Sequence, residues 1–159
     1  MLSMLLYNAG KWIGVKAKTI KELEKLQLKQ LRVCLAVGKG TPKAHLYAET
    51  GTWLIANCIL LAKLTFIYHV ATLPIGTLTR DLYQSHYEQG LPGLVQEIIP
   101  FLEELGVTDI TVFSKGQWKK MVKDFLHKKN AKDVTKISRS CKHKVDHSTF
   151  HPNSFRMKK

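Results

Sequence analysis

The segment that begins at Ser114 carries the clearest helical pattern in the chain. Ser114 and Gln117 are spaced as a capping box, in which each side chain bonds the backbone amide of the other residue. Five apolar residues then recur at the spacing of one helix face: Trp118, Met121, Val122, Phe125 and Leu126. The opposite face carries three lysines and a histidine: Lys119, Lys120, Lys123 and His127. The pattern therefore predicts a helix with one apolar face and one cationic face.

A shorter helix is predicted next, with Asn130 as its N-cap. Three residues form its apolar side: Val134, Ile137 and Cys141. The basic residues of this segment lie on its other sides: Lys132, Lys136 and Arg139. Beyond Cys141 the apolar residues follow no period, so the tail is expected to be loose.

Two helices are predicted in the first 50 residues. Thr19 and Glu22 form a second capping box, which should start the first helix. Gly38 and Gly40 should end it, because glycine tolerates the positive φ of a helix C-cap. The second is short and occupies residues 42–49, with proline at its first position.

The apolar run over residues 53–73 is long enough to cross a bilayer of about 30 Å as a helix. It contains Lys63 near its centre, which costs about 2.5 to 3.5 kcal/mol on insertion scales. Four polar residues share an arc of about 120° on the helical wheel: Asn57, Thr65, His69 and Thr72. A core helix with one polar edge is therefore expected, and a membrane span is not.

Two more helices are predicted over residues 78–89 and 93–105. Pro100 should kink the second, because proline removes a backbone hydrogen bond and clashes with the preceding turn. Residues 107–113 have no second strand to pair with and should form a connector.

These elements together predict an all-α protein, an irregular bundle of about six to eight helices with a loose basic C-terminal tail. The expected organisation is a helical body over residues 1–113, a basic helical segment over 114–140 and a flexible tail over 141–159.

Positive charge is concentrated in the last third of the chain. Residues 1–110 hold 11 Lys and Arg against 9 Asp and Glu, whereas residues 111–159 hold 14 against 3. Such an asymmetry is typical of a surface that meets a polyanion, either nucleic acid or an anionic membrane. The alternative is a solvated lysine tail.

The residues that could support catalysis or metal binding are scattered. Three cysteines at wide spacing indicate reduced, intracellular thiols: Cys34, Cys58 and Cys141. Four residues of the tail could in principle bind a metal, but their spacing matches no common zinc pattern: Cys141, His143, His147 and His151. There is no nucleotide-phosphate loop and no adjacent aspartate pair for two-metal chemistry. We therefore expect no metal, no cofactor, no small-molecule substrate and no catalytic activity in the isolated chain.

Five segments in order give the chain a family resemblance: LLYNAGKW, IKELEKLQLKQLR, TPKAHLYAETG, AKLTFIYH and SKGQWKKMVK. Together they cover roughly residues 4–125 and resemble the region after the polymerase core in LINE-like, non-LTR retrotransposon reverse transcriptases, especially the Dong-like group. The resemblance implies the helical thumb and linker that grip template RNA and target DNA. The catalytic palm would precede this region, and a zinc knuckle and endonuclease would follow it.

The resemblance implies two partners, RNA or DNA bound through phosphates and the missing palm. Four apolar residues at the N-terminal edge would pack on that palm: Leu2, Leu5, Leu6 and Trp12. The location would be nuclear in an active element. Nine basic residues are the predicted nucleic-acid contacts: Lys115, Lys119, Lys120, Lys123, Lys128, Lys129, Lys132, Lys136 and Arg139. The alternative function is a small basic helical interaction protein that associates with an anionic membrane surface.

Overall fold

The computed structural model describes residues 6–145, with side chains described as far as Arg139. This part contains six helices: α1 Ala17–Cys34, α2 Lys43–Thr50, α3 Ile55–Ala71, α4 Leu78–Gln89, α5 Leu94–Glu104 and α6 Lys115–Val145. Single 3₁₀ turns occur at Ala9–Lys11 and Ile110–Val112. No strand occurs among residues 6–145, and the all-α prediction is confirmed.

Helix α3 is the centre of the fold. Its neighbours are α1, α4, α5, α6 and both 3₁₀ turns, whereas α2 packs on α1 and α6. The main core joins its inner face to α5 and α6 through large side chains that are almost fully buried: Leu64, Ile67, Ile98, Trp118, Val122 and Leu126. Each such side chain stabilises the fold by about 1.5 to 3 kcal/mol. The prediction of a core helix is confirmed.

Two polar residues of α3 are buried, and for Asn57 this differs from the expected polar edge. Lys63 is 8% exposed and forms an ion pair with Glu97 of α5. Asn57 is 3% exposed, although the wheel places it on the polar edge with Thr65 and His69, which are exposed. Both buried groups have polar partners from other helices, as a buried amide or charge requires.

A smaller core lies between α1 and α2. Its buried residues are Leu28, Leu31, Leu46 and Tyr47. Gln27 lies at its edge, almost fully buried, and joins three elements by accepting from the Tyr47 hydroxyl at 3.2 Å and donating to the Trp53 carbonyl at 2.8 Å. Burial raises the pKa of the Tyr47 hydroxyl, with Glu24 nearby as a second cause.

Helix α1 differs from its predicted bounds at both ends. It begins at Ala17, its N-cap Lys16 makes no side-chain capping bond, and Glu22 pairs with Lys25 at 2.8 Å. The Thr19 capping box is therefore wrong, since Ala17 and Lys18 favour an additional N-terminal turn. The helix ends at Cys34, before the predicted glycines, because Ala36 adopts the left-handed conformation at φ 53°.

Helix α5 continues through Pro100 as one element, so the proline does not break it. The connector over residues 107–113 is confirmed and includes the 3₁₀ turn. At the N-terminal edge Leu6 and Trp12 are half-buried, while Tyr7 and Ile13 are exposed. Leu2 and Leu5 lie outside the described residues, as does most of the predicted tail.

None of the helices in the described range is by itself long and apolar enough to cross a membrane. Helices α2 and α3 reach the required length and hydropathy only as a pair, and they are bent by 50° where they meet.

Candidate nucleic-acid interface

The start of α6 is fixed by the predicted capping box. The Ser114 amide donates to Gln117 Oε1 at 3.0 Å, and the Gln117 amide donates to Ser114 Oγ at 3.4 Å. These bonds satisfy two amides that a helix N-terminus otherwise leaves without partners. Local sequence therefore determines where the basic helix begins.

The apolar face of α6 determines how its first half is rotated. Trp118, Val122 and Leu126 are each at most 2% exposed and lie against the main core. The Trp118 indole stacks on Tyr68 with ring centroids 5.5 Å apart and donates to the Leu64 carbonyl at 3.3 Å. Because this face is held from several directions, the lysines on the opposite face must point into solvent.

Asn130 fixes the second half of α6. Its Oδ1 accepts from the Leu54 amide at 2.9 Å and from Asn57 Nδ2 at 3.1 Å. Leu54 is the N-cap residue of α3, and Asn57 lies three residues further along. In a capping box, a side chain of the same helix accepts from the N-cap amide. Here the side chain of Asn130, on another helix, is that acceptor. Val134 lies one turn beyond Asn130 and packs on the α1–α2 core.

Asn130 does not start a separate helix, and that prediction is wrong. Residues 115–145 form one continuous helix, about 46 Å long at 1.5 Å per residue. Asparagine in a helix interior costs only about 0.7 kcal/mol relative to alanine, and the two tertiary hydrogen bonds of Asn130 offset this penalty.

Eight of the nine predicted contact residues are exposed, and the exception is Lys129. Its ammonium group lies 5.3 Å from the Phe101 ring centroid and 5.9 Å from that of Phe125. It also approaches Glu104 of α5 at 3.7 Å. Lys129 thus packs between α5 and α6 and is a poor candidate for a phosphate contact.

The other basic residues form two groups along the helix. The proximal group consists of Lys119, Lys120 and Lys123, which span an arc of about 100° opposite the buried stripe. The distal group consists of Lys128, Lys132, Lys136 and Arg139. Its members lie about 80° to 260° around the helix axis from the members of the proximal group. Lys115 is exposed at the first position of the helix.

The two groups differ in direction because the two halves of α6 pack through different faces. The first half is buried through the face that carries Trp118. The second half is buried through Asn130 and Val134, which lie about 120° and 160° around the helix axis from Trp118. The two groups therefore do not form one straight row of positive charge along α6.

Other chemical groups are sparse in this part of the chain. Among the described residues no three His, Cys, Asp or Glu side chains lie close enough together to hold a metal ion. Burial raises the pKa of the Cys58 thiol, while Cys34 is exposed. The side chains of Cys141, His143, His147 and His151 lie outside the described residues.

Comparison with family models, with curated proteins and with solved structures found no match to this chain.

Proposed function

We propose that this chain is the helical thumb and linker part of a LINE-like retrotransposon reverse transcriptase, and that α6 holds RNA or DNA through phosphate contacts. One observation carries the proposal. The proximal group, Lys119, Lys120 and Lys123, is exposed on one face of a helix whose opposite face is locked into the core. A rigid row of cations is suited to a regularly charged backbone.

The residue types favour positioning over sequence reading. Lysine is a compact point charge suited to phosphate, whereas bidentate recognition of guanine in a duplex needs the fork of arginine. From Lys115 to Lys136 helix α6 contains no arginine. We therefore expect α6 to bind unrelated sequences about equally.

The order of the family-like segments also supports the proposal. The second, third and fourth segments fall on α1, α2 and α3, and the fifth spans the capping box and first turns of α6. The first segment lies around the 3₁₀ turn that packs closely on α3. The segments that carry the resemblance thus belong to one packed body.

The test is fluorescence anisotropy with labelled RNA and DNA of unrelated sequence, over a range of salt concentrations. If about four to six phosphates are neutralised, log affinity should fall against log salt with a slope of roughly −3 to −5. Substituting glutamine at Lys119, Lys120 and Lys123 should weaken binding equally for all sequences and flatten the slope by about two to three units.

A matched control changes the same charge elsewhere. Lys18, Lys21 and Lys29 are exposed on α1, so their triple substitution by glutamine should change affinity much less. Equal effects of the two triple variants would reduce the proposal to non-specific attraction by net charge. Unchanged affinity in the α6 variant would make its lysines a solvated face. Binding to anionic vesicles without binding to nucleic acid would instead favour the membrane-associated alternative.

A further inference from the structure

A cavity of about 330 Å³ lies between α4 and the connector that leads into α6. This volume is at the lower end of the range for small-ligand pockets. Helix α4 contributes Arg80, Tyr83 and Tyr87, and the connector contributes Asp109 and Thr111. Polar, aromatic and charged groups therefore meet around one space that the basic helix does not use.

The α4 wall is aromatic. The rings of Tyr83 and Tyr87 are stacked, with centroids 6.4 Å apart and planes 29° apart. Tyr87 is 44% exposed and lies at the rim. Burial raises the pKa of the Tyr83 hydroxyl, which therefore stays protonated at neutral pH. A flat ring entering the cavity can stack on Tyr87.

A cation and an anion also line the cavity without pairing with each other. Arg80 is held by a 2.6 Å bond from Nη1 to the Leu73 carbonyl. Asp109 is held through Oδ1, which accepts from the amide and the hydroxyl of Thr111 at 2.8 and 2.7 Å. Within residues 6–145 no ion pair joins Arg80 to Asp109.

The remaining atoms of these two groups are available to a ligand. Arg80 retains Nε and Nη2 as donors, and Asp109 retains Oδ2 as an acceptor. The hydrogen bonds from Thr111, and then the charge of Arg80, hold the pKa of Asp109 below its usual value. The carboxylate is therefore ionised at neutral pH.

We infer that this cavity binds an unpaired guanine base, with its ring stacked on Tyr87. Guanine offers the acceptors O6 and N7 to a guanidinium, and its N1–H and N2 amino donors suit a carboxylate. Adenine lacks O6 and the amino group at position 2, so it can form fewer hydrogen bonds with Arg80 and Asp109. Stacking on a tyrosine adds affinity that any base would gain.

We take the base to be one unstacked nucleotide of a strand that α6 holds, and this step rests on the proposed function. Thr111 lines the cavity and Lys115 begins the basic helix. Four residues of chain span at most about 14 Å, so the cavity and the first lysine lie close together. One strand can therefore contact both.

The test uses isothermal titration calorimetry with guanosine, inosine and adenosine monophosphates, and with inorganic phosphate. Inosine lacks only the amino group at position 2 and keeps N1–H, so it reports the contact of that amino group with Asp109. The guanosine form should bind about tenfold tighter than the adenosine form, with the inosine form between them. Equal affinity for all three nucleotides, or for phosphate alone, would overturn the inference.

Two variants locate the contacts. Asp109→Asn keeps the Oδ1 acceptor for Thr111 but replaces the Oδ2 acceptor by a donor, so guanosine monophosphate should bind about tenfold weaker and no better than the inosine form. Tyr87→Leu should weaken all three nucleotides about fivefold or more. Tyr7→Leu is the control, since Tyr7 is 76% exposed and does not line the cavity. Unchanged guanosine affinity in Asp109→Asn, with unchanged melting temperature, would contradict the assignment.

The outcome is separable from that of the proposed function. Glutamine at Lys119, Lys120 and Lys123 should leave mononucleotide affinity within about twofold, because those side chains do not line the cavity. Oligonucleotide binding without guanosine binding would overturn the pocket and leave the proposed function. A single guanine in an oligonucleotide should bind tighter than inosine at the same position. Equal binding there would overturn a strand as the source of the base.

Discussion

Replacing Asn130 by alanine should loosen the attachment of α6 to the N-terminus of α3. The substitution leaves two donors without their acceptor, the Leu54 amide and Asn57 Nδ2. An unsatisfied buried polar group costs about 1 to 3 kcal/mol. Asn57 is almost fully buried, so it bears the larger penalty, whereas Leu54 is half-buried and water reaches its amide more easily.

The gain in helix propensity from asparagine to alanine returns about 0.7 kcal/mol. The expected net loss is about 1.5 to 3 kcal/mol in the free energy of unfolding, a large part of the 5 to 15 kcal/mol that holds a typical domain. For a chain of this size the melting temperature should fall by about 4 to 10 °C.

The assay is urea denaturation followed by circular dichroism, supported by thermal melts. Asn130→Asp keeps the acceptor at the partially positive N-terminus of α3, so its stability should stay within about 1 kcal/mol of the unmodified protein. Thr135→Ala, an exposed position one turn further on, should have little effect. In a double-mutant cycle, Asn57→Ala and Asn130→Ala should couple by about 1 kcal/mol.

Three results would refute this reasoning. The first is an Asn130→Ala variant within about 0.5 kcal/mol of the unmodified protein. The second is an aspartate variant as unstable as the alanine variant, since the acceptor would then be irrelevant. The third is additivity of the two alanine substitutions.

Four further outcomes are expected. Gly10→Ala should destabilise the fold by about 1 to 3 kcal/mol, because the added Cβ would lie 2.7 Å from the Ala62 carbonyl oxygen. Gly116→Ala adds a Cβ that meets no atom within 4 Å, so it should stabilise α6. Equal melting temperatures of the two variants would contradict this. Ala36→Gly should stabilise by up to about 1 kcal/mol by relieving the left-handed backbone at the end of α1, while Ala48→Gly in α2 should destabilise in the same urea assay. Partial burial acts to raise the pKa of Glu97, but the hydrogen bonds from Lys63 and the Gly14 amide hold that pKa below its usual value. The contribution of Glu97 to stability is therefore present above about pH 4.5 and is lost as pH falls through the folded pKa. Glu97→Gln should cost about 1 to 2 kcal/mol at neutral pH, and unfolding curves should show a smaller loss of stability at acid pH. Primer extension on an RNA template with Mg²⁺ or Mn²⁺ should give no product, and protein-dependent extension free of contaminating polymerase would be contrary evidence.

Patterns within a few residues were sufficient for most of the helices. The Ser114–Gln117 capping box and the stripe through Trp118 and Leu126 predict the start and the buried face of α6, because both depend on hydrogen bonds and side-chain directions within a few turns. The apolar density of residues 53–73 likewise predicts the central helix. The local signals failed at both ends of α1, because the helix begins at Ala17, before the capping box at Thr19, and because Ala36, instead of a glycine, adopts the left-handed conformation.

The partners of the polar residues could not be read from the chain. From the sequence, Asn130 is expected to start a helix. Its actual role depends on the N-terminus of α3, because its side chain accepts from the Leu54 amide, 76 residues earlier in the chain. Lys63 looks like an obstacle to burial until Glu97 is placed beside it. The division of the basic residues into two groups follows from a change in packing face along α6. Periodicity fixes which residues share a face, but the free energy of burial, which depends on contacts between distant segments, decides which face turns inward.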